Sequence, residues 1–276
     1  MIELFRIGHF SIYLFGVTIV LGMLAGLIIM LKEAKRKELN LDQMMNLTIY
    51  SIIAGMLGAR IFYVLVFNLD FYLQNPIKVF ALRDGGLSIQ GGLIFSILFA
   101  IFYTRKKNMH FWKAADAFAP GIILGQAIGR VGCDVFGVPM KEVYPWGVLV
   151  NGQLLHPTQI YEALLNFALF LYLWKRRGRA KYNGEIFVHY IIGFSIIRAI
   201  VEIFRVNPLV FANITVAHVT SLIIIVTTLL ISRTIKEKNL ISVSNVSQET
   251  VSIPFVEYLV IFSMTIAGVW FYYFIH

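Results

Sequence analysis

The chain has 276 residues, 58% of them hydrophobic and 14% charged, with 24 Lys and Arg against 15 Asp and Glu for a formal net charge of +9. Soluble domains carry about 25% charged residues, so this composition cannot cover a water-facing surface, and disorder is excluded for the same reason. A polytopic membrane protein remains, and its basic excess reads as cytoplasmic loops facing anionic lipid rather than as a nucleic-acid surface.

A spanning helix needs about 20 mostly apolar residues. Runs of that kind lie at 10–31, 46–67, 88–104, 111–129, 159–174, 185–204, 212–232 and 254–275. The first is too long for the apolar region of a signal peptide and shows no small-x-small cleavage site, so it is read as a helix. The third opens with glycines, the fourth contains Pro120, and the fifth is short. The loops after the first, third, fifth and seventh runs hold sixteen of the Lys and Arg residues, among them Lys32, Arg36, Arg105, Lys107, Arg176, Arg179 and Arg233. The opposite side holds six, and Arg60 and Arg198 lie inside runs. By the positive-inside rule both termini lie outside the cytoplasm. The lone cysteine, Cys133, excludes an intrachain disulfide.

The outward side has few cations but most of the unusual residues. After the second run comes Arg83-Asp84-Gly85-Gly86-Leu87-Ser88-Ile89-Gln90-Gly91-Gly92. Its paired glycines either let backbone approach a ligand or form a hinge at a helix entry. In the fourth run Gly121, Gly125 and Gly129 recur at four-residue spacing, which reads as a helix-packing surface. Arg130 follows at the outer end, where an arginine either snorkels to headgroups or grips a phosphate with its planar fork. The fifth run opens His156-Pro157-Thr158-Gln159-Ile160-Tyr161-Glu162. Pro157 suits a first helical turn and Thr158 a cap. Gln159 and Glu162 share a face, and Glu162 puts a carboxylate into an apolar segment. In the sixth run Arg198, Glu202 and Arg205 lie on one helical stripe. Each charge near a bilayer centre costs about 2.5–3.5 kcal/mol, so this cluster reads as functional before it reads as a structural clasp. Arg60, Arg130, Arg198 and Arg205 against Asp84, Asp134, Glu162 and Glu202 suit an anionic lipid headgroup, its phosphate held on arginine forks.

In this order the segments resemble the prolipoprotein diacylglyceryl transferases of bacteria, over roughly residues 10–232. The matching pieces are Gly58-Ala59-Arg60 with Tyr63, Asp84-Gly85-Gly86-Leu87-Ser88 with Gly91-Gly92, Asp116 with Pro120, Gly129-Arg130-Val131-Gly132, His156 through Glu162, and Arg198 through Glu202 to Arg205. The resemblance implies transfer of the sn-1,2-diacylglyceryl group of phosphatidylglycerol to the thiol of a lipobox cysteine in an exported preprolipoprotein, releasing glycerol-1-phosphate. It implies a multi-pass protein of the bacterial plasma membrane with its active site toward the extracytoplasmic side, which agrees with the loop charges. The implied partners are phosphatidylglycerol, the lipobox segment and the lipid bilayer, with no nucleic acid, metal or cofactor.

Carried over residue by residue, Arg130 and Arg198 hold the phosphate and stabilise the leaving group as its charge grows. Glu202 orients Arg198 and Arg205. His156, Gln159, Tyr161 and Glu162 line the cavity, and Arg60, Asp84, Gly85, Gly86, Gln90, Asp134, Gly137 and Arg205 join the substrate-binding set. The acceptor thiol, with an ordinary pKa of about 8.5, needs a base or a cationic field to form its thiolate. Gln90 stands where the family commonly has His, and glutamine is no base near pH 7. His156 is therefore the nearest substitute, which makes the catalytic set Arg130, Arg198, His156 and Glu202. Phe15 and Phe194 stand where Tyr is usual. The loop after Gly132 is shorter than the usual pattern: with a gap, Asp134 takes the place of a Glu and Gly137 that of the following Gly; without one, Val138 takes it and no carboxylate remains.

The expected fold is all-α, a polytopic integral membrane helix bundle with seven family spans and an eighth, C-terminal one. The expected organisation is a transmembrane transferase domain at 1–236, a polar linker at 237–253 and an extra transmembrane helix at 254–276. Two other readings stay open. One is a paralogue of the same fold that binds phospholipid or modifies another acceptor, motivated by Gln90, Phe15 and Phe194. The other is a transporter using the charged sixth run, against which stand the lack of an internal repeat and of matched broken helices.

Overall fold

The computed structural model describes residues 2–8, 10–81, 85–211, 214–238 and 255–275, and it is mostly helical. The long helices are α1 (Leu14–Arg36), α2 (Leu41–Phe67), α4 (Ile89–Lys106), α5 (Phe111–Val131), α6 (Thr158–Arg176), α7 (Glu185–Glu202), α8 (Val216–Lys238) and α9 (Phe255–Ile275), with a short α3 (Leu69–Gln74) after α2. Each expected apolar run coincides with one long helix. By length and composition α1, α2 and α8 can each cross a membrane. They expose apolar side chains such as Ile28, Leu57, Leu65, Leu222 and Leu230, which suits contact with lipid.

Three two-stranded antiparallel hairpins were not expected from the helical pattern: β1 (Glu3–Ile7) with β2 (Phe10–Tyr13), β3 (Val148–Val150) with β4 (Gln153–Leu155), and β5 (Leu209–Phe211) with β6 (Ile214–Thr215). They shift two helix starts inward, to Leu14 and Val216. The β3–β4 turn is Asn151-Gly152, both at positive φ (51° and 78°). That dipeptide is the sequence signal of a tight hairpin, because both central residues must be left-handed to match the strand twist.

The chain divides into two compact units, Met1–Met30 with Ala115–His276, and Leu31–Ala114. The core of the first lies among α5, α6 and α7, where Ile123, Ala127, Phe170, Leu173, Ile186 and Val201 are buried. These helices carry most of the polar residues of interest, and burial against one another turns those groups inward. The N-terminus of α7 is capped from α5: the buried Asp116 carboxylate accepts from the backbone N–H groups of Gly184 (2.9 Å) and Phe187 (3.0 Å), satisfying two donors that a helix start leaves open. On the neighbouring face α5 meets α1 backbone to backbone. A Cβ on Gly26 would lie 2.6 Å from the carbonyl oxygen of Gly121, and one on Gly22 2.5 Å from that of Gly125. Gly121 and Gly125 are therefore packing residues, as their spacing suggests, and Gly22 and Gly26 are their partners.

In the second unit α2 packs along α4. The start of α2 is capped by Asn40, whose side chain accepts from the N–H of Gln43 (2.9 Å). α4 begins after Ser88, which bonds the Gln90 side chain at 2.8 Å.

Candidate active site

The site in the first unit is assembled by the segment between α5 and β3. Gly137 donates its N–H to the carbonyl of His156 (2.8 Å), Val138 to that of Phe204 (2.9 Å), and Met140 to that of Leu154 (2.8 Å), while His156 donates back to Val138 (3.2 Å). Thr158 does not cap α6 with its hydroxyl. It donates that hydroxyl to the carbonyl of Val135 (2.8 Å) and so pins the same segment from the other side. Gly137 is required by closeness, since a side chain there would collide with the Phe204 carbonyl and with Thr158. This stitching brings three ends together: the C-terminal turn of α5 with Arg130, the first turns of α6 with His156 just before them, and the chain leaving α7 at Phe204 and Arg205.

The charges at those ends interlock. Glu162 is buried, and its Oε1 meets Arg130 Nε at 3.0 Å while its Oε2 lies 3.9 Å from Arg205 Nη1. Glu202, also buried, pairs through Oε2 with Arg198 Nη2 at 3.2 Å. Its Oε1 accepts from the Asn207 amide and the Thr215 hydroxyl, both at 2.8 Å. The sequence expectation that Glu202 orients both Arg198 and Arg205 is therefore corrected. Helix α7 ends at Glu202, so the helical stripe does not continue to Arg205, which turns to Glu162. Burial is the main influence holding the Arg205 guanidinium below its ordinary value; the cations of Arg198 and Arg130 push the same way, and Glu162 and Glu202 oppose them. The cluster is thus three guanidiniums against two carboxylates. Arg198 Nη1 is buried with no protein acceptor among the described residues, an arrangement that leaves a donor for an anion.

His156 stands beside the cluster. Its Nδ1 lies 3.1 Å from the Tyr161 hydroxyl, which also accepts the indole N–H of Trp146 (3.1 Å). Phe204 packs against both rings. Desolvation by burial lowers the pKa of the imidazole from its ordinary 6.5, so it is neutral at pH 7. Gln159 is buried, and its amide donates to the Tyr272 hydroxyl of α9. Asp134 accepts the backbone N–H of Ile2 at 3.2 Å, so it anchors the strand that precedes α1.

The second unit holds its own group of expected residues. All five N–H donors of the buried Arg60 go to backbone carbonyls, those of Lys78, Val79, Ala81, Gly85 and Gly86, at 2.6–3.2 Å. No donor is left for a phosphate, so Arg60 holds the glycine loop in shape, and its expected place in the substrate-binding set is revised to that of a loop clamp. Gly85 and Gly86 are left-handed, at φ 81° and 77°, which aims their carbonyls at that guanidinium. Gln90 is exposed at the start of α4. Asp84 lies outside the described residues.

The family model described as prolipoprotein diacylglyceryl transferase matches residues 3–233. A phosphatidylglycerol–prolipoprotein diacylglyceryl transferase of Clostridioides difficile (strain 630) is 38% identical over 247 residues, covering 89% of this chain and 98% of the relative. Proteins of the same name from Finegoldia magna and Bacillus mycoides are each 34% identical, over 227 and 235 residues; both matches cover 80% of this chain, and they take in 90% and 87% of the respective relatives. The chain belongs to the prolipoprotein diacylglyceryl transferase family. The charged residues of the Glu162 and Glu202 pairs lie within one compact unit, although they come from α5, α6, α7 and the segment after α7, distant in sequence.

Sequence reasoning missed four residues that hold the site. Asn207 and Thr215 saturate one oxygen of Glu202, Trp146 binds Tyr161, and Tyr272 binds Gln159. Asn207 comes two residues after the Arg-Glu-Arg run, a placement that could have marked it. Thr215 carries only the signal of a helix cap, and Trp146 and Tyr272 read as interfacial aromatics.

Proposed function

We propose that this protein transfers the diacylglyceryl group of phosphatidylglycerol to the lipobox cysteine thiol of preprolipoproteins. The observation that carries this reading is the Arg130–Glu162–Arg205 and Arg198–Glu202 cluster, with its net cationic charge and the unclaimed donor on Arg198. The phosphate of the donor lipid takes the place of that missing acceptor. As the thiol sulfur bonds to the glyceryl carbon, the C–O bond to phosphate breaks and its electron pair goes to the leaving oxygen. Guanidiniums already aimed at that oxygen stabilise the growing charge without reorganising. Glu202 and Glu162 hold the arginines in place, and Glu202 is itself held by Asn207 and Thr215.

His156 is the candidate for the thiol proton. Its lowered pKa keeps it neutral at pH 7, but the tautomer matters. With Nδ1 protonated and donating to the Tyr161 hydroxyl, Nε2 is free to accept; with Nδ1 accepting, it is not. Trp146, donating to the same hydroxyl, occupies one of its lone pairs. Arg60 serves by shaping the Gly85–Gly86 loop, and that loop, with Asp84 and Gln90, is assigned to the substrate side on the family resemblance.

The eight long helices are read as eight membrane spans, seven of the family and α9 in addition, in a bacterial plasma membrane with the site facing out. On this reading residues 1–236 form the transferase domain and 254–276 an appended helix. The alternating loop charges support it.

The test is to incubate the purified protein with phosphatidylglycerol and a lipobox peptide and look for the diacylglyceryl adduct by mass spectrometry. Arg198→Ala and Glu202→Gln should each lower the rate at least about a hundredfold, the scale of removing a preorganised oxyanion donor. A wild-type preparation that yields no adduct overturns the reading, and variants that keep wild-type rates overturn the site assignment.

A further inference from the structure

Helix α9 lies beyond the family match, which ends at residue 233. Yet α9 belongs to the same compact unit as the charged cluster, and its described contacts fall on residues that flank that cluster.

The Tyr272 ring is buried among Val131, Val148, Ile160 and Ala163. Val131 follows Arg130 in the chain, and Ile160 and Ala163 flank Glu162 on α6. The Tyr272 hydroxyl accepts from Gln159 Nε2 at 2.5 Å. Gln159 stands one turn before Glu162 on the same helix face. The other end of its buried amide, Oε1, meets no donor among the described residues. A buried amide oxygen left open costs free energy unless a ligand or water completes it. Independently, Tyr273 donates its hydroxyl to the Trp146 carbonyl at 2.7 Å. Trp146 in turn binds Tyr161, the partner of His156. Neighbouring tyrosines on one helix thus reach the two polar groups that border the arginine cluster, one through a buried amide and the other through an aromatic relay.

We propose that α9 is a working wall of the transferase site: Tyr272 is a positioning residue that fixes the Gln159 amide with its open end toward a hydroxyl of the lipid's glycerol headgroup, and Tyr273 fixes the Trp146–Tyr161–His156 relay. This rests on the transferase reading above. A helix that only anchored the chain would need neither hydroxyl, and aromatic rings alone would fill the same space.

The experiment uses the full-length protein, with initial rates of adduct formation measured against phosphatidylglycerol concentration. Tyr272→Phe keeps the ring and removes one hydrogen bond, so kcat should fall about three- to tenfold with the melting temperature nearly unchanged. In a Gln159→Met background the same change should have no further effect, because the two residues act as one unit. Tyr273→Phe, at an exposed position, should lower kcat about two- to fivefold even where Tyr272→Phe proves unstable. Wild-type kcat in both tyrosine variants overturns the proposal, as does a Tyr272→Phe loss that multiplies independently with that of Gln159→Met. Both results presuppose an active wild type; an inactive wild type overturns the transferase reading instead.

Discussion

At Glu162 a carboxylate that water barely reaches faces two guanidiniums, Arg130 at 3.0 Å and Arg205 at 3.9 Å. Removing one partner of such a buried pair costs about 3–5 kcal/mol, because the remaining charge has lost both water and its counterion. The residue was legible in the sequence for the same reason that makes it costly: a carboxylate in an apolar run has to be explained. The same holds for Arg130, Arg198 and Glu202. Arg60 was legible as unusual but not in its part, because its donors go to carbonyls that only the folded loop collects around it. His156 carries a pH prediction. Burial disfavours its charged form, so its pKa lies below the ordinary 6.5 and the neutral imidazole persists into more acidic solution. If it accepts the thiol proton, kcat falls as the imidazole gains a proton, and the acid limb of the profile lies below pH 6.5. A pH–rate profile of His156→Gln should show that limb gone and kcat reduced about a hundredfold or more. An unchanged limb assigns it to another group.

Between elements, packing is decided by what is missing. α1 and α5 approach until a Cβ on Gly26 would lie 2.6 Å from the Gly121 carbonyl, a distance no side chain tolerates. Gly26→Ala should therefore destabilise the protein by about 1–3 kcal/mol, read as a lower melting temperature in detergent. Gly16→Ala, on the same helix with open space around it, should stay within about 0.5 kcal/mol of the wild type. Equal melting temperatures for the two would remove the close contact as an explanation. The four-residue glycine spacing on α5 announced this surface, and Gly22 and Gly26 on α1 carry the same spacing; what spacing alone leaves open is which helix meets which. The hairpins are built from strands too short to stand out as apolar runs, and Asn151-Gly152 carries the turn signal of one of them.

For the whole molecule, the proposed orientation puts the β3–β4 turn outside the cell and the loops after α4 and α6 inside. In a Cys133→Ser background, a single cysteine at Asn151 should react with a membrane-impermeant maleimide on intact cells. Single cysteines at Lys107 or Arg179 should react only after the membrane is opened. The reverse pattern would invert the orientation. Among the described residues α9 shares a compact unit with α5, α6 and α7, so a helix that looked appended by its position in the chain stands beside the site.

The sequence by itself determined where the long helices lie, because lipid leaves backbone polar groups no partner outside the helix and so demands long apolar runs. It also marked which charges needed a reason to exist and that the basic residues gather in alternate loops. Only the tertiary structure decided how those charges pair. Arg205 chooses Glu162 over Glu202 because α7 ends one turn too early, and the partners of Glu202 and Gln159 come from segments that become neighbours only after folding. Periodicity reports a residue's face along its own helix. It carries no information about which other helix will meet that face.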